Sequence, residues 1–104
     1  MPGIYQLVFQ LRGSSESDFE EMVGLEEELT SAIGDLGEVD GHDVGQDEMN
    51  IFVHTPSPIR LFEAVRSLPA VARAMPRLRV AFRPLDGDQY EVLHPPGSYR
   101  FTVA

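Results

Sequence analysis

A chain of 104 residues, 42% hydrophobic and 24% charged, is one domain's worth of sequence, long enough to bury a core and too short for two. Seventeen acidic residues against eight basic ones leave a net charge of −9, which repels nucleic-acid phosphates and anionic membranes alike. With no cysteine, disulfides, thiolate catalysis and thiolate zinc sites are excluded together.

The apolar runs are only a few residues long, too short for a transmembrane helix. The first eleven residues carry Gln6 and Gln10 and no basic region, so they do not read as a signal peptide. A cytoplasmic location is expected. The charge is segregated: residues 14–50 hold thirteen acidic residues and no basic one, whereas residues 51–104 hold four acidic and seven basic residues. Every basic residue is an arginine. Such an asymmetry orients a domain toward a partner with a basic patch.

In chain order, Ile4 to Leu11 alternates, with Tyr5, Leu7, Phe9 and Leu11 on one face and Gln6, Val8 and Gln10 on the other, the pattern of a half-buried strand. Ser17-x-x-Glu20 has the spacing of a capping box and opens a predicted helix. Phe19, Met22, Leu25, Leu29, Ala32 and Ile33 recur along it at helical spacing. Gly34 suits its C-terminal cap. Residues 38–44 and 48–54 read as two strands of a hairpin joined by Gly45-Gln46-Asp47. Met49, Ile51 and Val53 fall on one face of the second, and Glu48, Asn50, Phe52 and His54 on the other. Gly41 inside the first marks a bulge or a close approach.

Ser57-Pro58 starts a second helix with Ile59, Phe62, Val65 and Leu68 as its apolar stripe. Pro69 ends or kinks it, leaving one further turn at residues 71–75. Residues 78–85 alternate again, with Leu78, Val80 and Phe82 opposite Arg79, Ala81 and Arg83. Residues 90–93 and 99–103 are short candidate strands around Pro95-Pro96-Gly97, and His94 reads as an exposed imidazole in a rigid loop. Strand, helix, strand, strand, helix, strand is the ferredoxin-like, split βαβ order of an α+β domain. The whole chain is expected to be one domain, with its core at about residues 4–85 and a short C-terminal extension at 86–104. Right-handed crossovers put both helices on one face of an antiparallel sheet.

The stretch Glu38-Val-Asp-Gly-His-Asp-Val-Gly45, with Glu48-Met-Asn-Ile-Phe52 and Arg83-Pro-Leu-Asp-Gly87, resembles a family of small uncharacterised acidic bacterial proteins with a ferredoxin-like fold. The resemblance implies a compact domain of bacterial source and brings no settled activity. Acylphosphatases share the architecture, with a glycine-rich phosphate loop ending in arginine at the first strand. Here Val8-Phe9-Gln10-Leu11-Arg12-Gly13 retains the arginine without the cradle of backbone N–H groups, so a phosphoryl site is not supported.

With helices on one side, the opposite face of the sheet is expected to be open and polar. The strand phases assign Gln6, Gln10, Glu48, Asn50, Phe52, His54, Arg79 and Arg83 to it. A three-residue turn in the hairpin adds Asp40 and His42, which avoids burying a carboxylate under the helices. Phe52, with Ile4 and Val8, could form the apolar centre of a docking face. No spacing for a metal, a nucleophile or a nucleotide loop is present, so neither a metal nor a cofactor is expected. The reading that follows is a non-catalytic binding or regulatory module working through its open sheet face, with a protein partner or a homodimer and neither nucleic acid nor membrane. The alternative is a small dimeric ferredoxin-like enzyme, monooxygenase- or isomerase-like, or a small-molecule sensor. Such an enzyme needs a closed apolar pocket receiving His42, His54 or Arg79.

Overall fold

The computed structural model describes residues 4–97 and 99–103. Its elements are β1 (Tyr5–Arg12), α1 (Glu16–Ala32), β2 (Glu38–Val44), β3 (Glu48–Thr55), α2 (Pro58–Val65), α3 (Pro69–Ala74), β4 (Leu78–Pro84) and β5 (Glu91–His94). One-turn 3-10 helices precede β2 and β4. The strands form one five-stranded antiparallel sheet in the order β2-β3-β1-β4-β5. This is a compact α+β single domain, and no helix among the described residues is long and apolar enough to cross a membrane.

All the helices lie on one face of the sheet. Leu7, Phe9 and Leu11 of β1, Met49, Ile51 and Val53 of β3, and Leu78, Val80 and Phe82 of β4 meet Met22, Leu25 and Leu29 of α1 and Leu61, Phe62 and Val65 of α2 in the main core. The alternation of β1, β3 and β4 therefore falls as the sequence predicts. Phe9 is fully buried against the ring of Phe62, with ring centres 6.2 Å apart. The helical stripes are narrower than expected. Phe19 is 41% exposed and Ile59 is 52% exposed; each lies in the first turns of its helix.

The start of α1 corrects the predicted cap. Ser15, not Ser17, is the N-cap: its hydroxyl accepts from the Asp18 amide at 3.1 Å, and Asp18 accepts in turn from the Ser15 amide at 3.2 Å. Asp18 is preferred over Glu20 because it is also held from across the fold. Arg77, just before β4, donates to Asp18 at 2.9 Å, to the Arg12 carbonyl at 2.9 Å, and to Glu21. One guanidinium thus ties the end of β1, the start of α1 and the start of β4 together. The chain reaches this corner through Gly13, at φ +133°, where a Cβ would lie 2.2 Å from an Asp18 oxygen.

Other polar residues stitch the helices. Glu28, which lies outside the apolar stripe of α1, accepts from the Ala70 amide at 2.9 Å and the Val71 amide at 3.2 Å. It caps α3, whose own N-cap residue, Leu68, has no side-chain acceptor. Pro69 separates α2 from α3 as expected. His94 is not an exposed imidazole: its Nε2 lies 2.9 Å from the Met75 carbonyl and its ring packs against Phe62.

The capping pair carries a pH dependence. Asp18 is held below its ordinary value of 3.8, chiefly by its hydrogen bonds with Ser15 and further by Arg77, against the opposing effect of burial. A carboxyl whose folded value is lowered contributes stability above its unfolded value and loses it as pH falls toward the folded one. Asp18→Asn is therefore expected to be less stable than the parent at neutral pH, with the gap closing as pH drops below 3.8. Urea unfolding of both proteins across that range checks it; a gap independent of pH would show that Asp18 acts by shape alone.

Candidate functional site

The strand registers set out the face opposite the helices as rows across the sheet. One row is Glu38, His54, Gln6 and Arg83; the next is Gly41, Phe52, Val8, Ala81 and Val92; the third is Asp43, Asn50, Gln10 and Arg79. Glu48 stands opposite Arg12 at the end. The phases predicted for β1, β3 and β4 thus bring Gln6, Gln10, Glu48, Asn50, Phe52, His54, Arg79 and Arg83 to this one face.

The face is not open, however. The chain after β4 pairs as β5 beside β4, and residues 99–103, read from the sequence as a possible strand, cross the middle of the sheet without joining it. Phe101 is buried on Val8 and Ala81, with Phe52, Tyr90, Val92 and Val103 packed around it. The rings of Tyr90 and Phe101 meet at a tilt of 58°, with centres 4.9 Å apart. This second core roofs the rows at Val8 and Gln10.

The polar candidates beneath the roof serve it. Gln10 Nε2 donates to the Thr102 carbonyl at 2.9 Å, to Asn50 Oδ1 at 3.0 Å and to Glu48 Oε2 at 3.1 Å. Asn50, fully buried, donates to Glu48 at 3.2 Å. A buried amide is costly unless bonded, and this network supplies the bonds. Arg79 lies over the Tyr99 ring at 5.3 Å and Arg83 over the Tyr90 ring at 6.0 Å. Arg83 Nη1 also donates to the Pro84, Leu85 and Gly87 carbonyls. Burial raises the Tyr99 phenol above its ordinary 10.0, against the pull of Arg79, and its hydroxyl donates to the His94 carbonyl at 3.0 Å.

The remaining two candidates are separated by β2. The register of β2 against β3 shifts between Val39 and Gly41, a bulge in which Asp40 is the extra residue. Gly41 sits at φ +122°, a conformation open to glycine at little cost. The shift reverses the phase of the strand beyond it. Asp40 stays on the roofed side, 3.6 Å from His54 Nε2. His42, expected beside it, turns to the helix side: it pairs with Ile51 of the main core, its Nδ1 lies 3.0 Å from Glu26 of α1, and its ring meets Phe19 edge-on. The pairing of Asp40 with His42 on one face is thereby corrected.

The bulged strand forms one wall of a groove of about 890 Å³ between β2 and the C-terminal half of α1. Glu26 and Glu27 line it from the helix, with Thr30 and Ser31, and Glu38, Val39 and Asp40 line it from the strand; no basic residue among the described ones lines it. Glu38 and Asp40 are exposed. Glu26 and Glu27 escaped the sequence reading of sites because, one turn of helix at a time, they look like a solvated face; what signals them is the neighbouring run of acids without a single arginine. Chemically the groove offers carboxylates and the backbone of a strand edge, a surface suited to cationic groups. No group of three or more histidine, aspartate or glutamate side chains among the described residues is placed to hold a metal ion.

No protein-family model matches this chain, and neither a curated protein nor a solved structure matches it at a significant level.

Because Gly41 has nothing within 4 Å of an added Cβ, Gly41→Ala isolates backbone strain from steric clash. It is expected to lower stability by about 1–3 kcal/mol, read as a shift in the urea midpoint at unchanged slope. A neutral outcome would show that the bulge tolerates an ordinary residue.

Proposed function

We propose that this protein is a cytoplasmic, non-catalytic interaction module of bacterial origin with a ferredoxin-like arrangement, and that it binds cationic partners through the acidic groove between α1 and β2. The single observation that carries this is the lining of the groove: four acidic residues, Glu26 and Glu27 from α1 and Glu38 and Asp40 from β2, and no basic residue among the described ones. It supports a change of surface from the open face expected from the sequence, since that face packs against residues 99–103 of the same chain. The β-α-β-β-α-β order of the elements before β5, with the strands in the order β2-β3-β1-β4, supports the fold assignment. The net charge of −9 argues against nucleic acid and favours a basic protein.

The enzyme alternative is less well supported, because each of the side chains it could use, His42, His54 or Arg79, is engaged with a neighbour. His42 is bonded to Glu26, His54 stands beside Asp40, and Arg79 lies on Tyr99.

The test is titration of the protein with a short arginine-rich peptide. Binding is expected to weaken as ionic strength rises from about 0.01 M to about 0.15 M and the screening length falls from roughly 30 Å to roughly 8 Å. Neutralising the groove, with Glu27→Gln, Glu38→Gln and Asp40→Asn together, is expected to weaken it about tenfold. The same number of neutralisations at Asp86, Asp88 and Glu91 should have much less effect. Equal effects of the two triple variants would remove the groove from the proposal and leave only net charge.

A further inference from the structure

We infer that β2 accepts an extended segment of a partner protein as an added strand, and that the segment it fits alternates basic and apolar residues. This rests on the acidic-groove reading above and adds the manner of binding and the pattern of the partner.

The backbone supplies the first half of the argument. β2 is the end strand of the sheet, and no strand among the described residues pairs with its outer edge. It runs for seven residues, so its edge presents a row of N–H and C=O groups that a partner strand can satisfy.

Side-chain placement supplies the second half. Successive side chains of an added strand project to opposite faces of the sheet. On the face away from the helices, such a strand would run beside Glu38, Asp40 and Asp43, all exposed. Arginine or lysine at every second position meets that row. On the helix face it would run beside His42 and Val44, with the Phe19 ring against His42. Val44 is 50% exposed and Phe19 is 41% exposed. These are apolar surfaces at the sheet margin, which the intervening positions of the partner would cover if they were apolar. The bulge is what gives β2 these two characters: without it His42 and Val44 would share a face with Glu38 and Asp40, and Asp43 would turn to the helix side.

The occupant is a basic partner and not a second copy of this chain. Pairing two β2 edges would bring Glu38, Asp40 and Asp43 of one chain against the same residues of the other. Residues 14–50 contain no lysine or arginine to offset them. Like charges directly opposed across a strand pair are destabilising.

The experiment uses the whole chain and two synthetic seven-residue peptides of identical composition, Arg-Val-Arg-Val-Arg-Val-Arg and the blocked Arg-Arg-Arg-Arg-Val-Val-Val. Affinity is measured by calorimetry, and amide hydrogen exchange of residues 38–44 is followed by NMR. The alternating peptide is expected to bind about tenfold tighter than the blocked one, and only it should slow exchange along β2. Val44→Glu, at an exposed position, is expected to remove that preference while leaving the blocked peptide bound. Equal affinities with no slowing of β2 overturn the added strand and leave the acidic groove standing. Failure of both peptides to bind overturns the groove reading and the added strand together. Self-association of the unliganded chain, with β2 amides protected on dimerisation, overturns the choice of partner in favour of a second copy.

Discussion

The fold depends on β1 being buried on both sides. From Leu7 to Leu11 every residue is buried, yet the strand carries Gln10 in the middle of that run. Leu7, Phe9 and Leu11 enter the helix-side core. Val8 and Gln10 face the other way, where they would be solvated if the sheet had one open side. The chain resolves this by returning after β4 and laying Phe101 on Val8. Gln10 then needs partners, and Asn50, Glu48 and the Thr102 carbonyl supply them. The central strand thus dictates both the second core and the path of the last residues.

The same roof redistributes what is left for binding. Arg79 and Arg83 would have been the cationic part of a mixed-charge face, but each lies over a tyrosine ring of the returning chain. Their charge is spent on holding the cover in place. The proposed recognition surface is therefore not the face of the sheet but its β2 edge, where the backbone is unpaired among the described residues and the carboxylates are exposed.

Legibility followed periodicity. β1, β3 and β4 alternate cleanly, so the faces of Gln6, Asn50, His54 and Arg79 could be assigned from spacing alone. β2 could not be phased in this way, because a single extra residue inverts everything beyond it. Gly41 signalled the irregularity, but its consequence, His42 on the helix side and Asp40 beside His54, depends on a dihedral angle that composition does not reveal. The returning segment has no period to read. Its signal was compositional, three aromatic residues (Tyr90, Tyr99 and Phe101) in a stretch otherwise rich in proline and polar residues, too many to leave in water. The cap of α1 was ambiguous for a third reason. Ser15 and Ser17 each precede an acid by three residues, and the choice between them is made by Arg77, some sixty residues away in sequence.

The groove gains its character from where the arginines are used. Arg77 is committed to Asp18 and Glu21 at the start of α1, Arg66 to Glu63 on α2, and Arg79 and Arg83 to the roof. Arg77 neutralises the first turns of the acidic segment only. The acids farther along, from Glu26 through Asp43, lie beyond its reach, and His42 is the sole potentially cationic side chain in that stretch. Charge and bulge together discourage the exposed strand from pairing with its own kind, which is how sheet edges are kept from aggregating. The same two features leave it complementary to a strand of opposite charge. Protection against self-association and the proposed selection of a basic partner would, on this edge, be consequences of one arrangement.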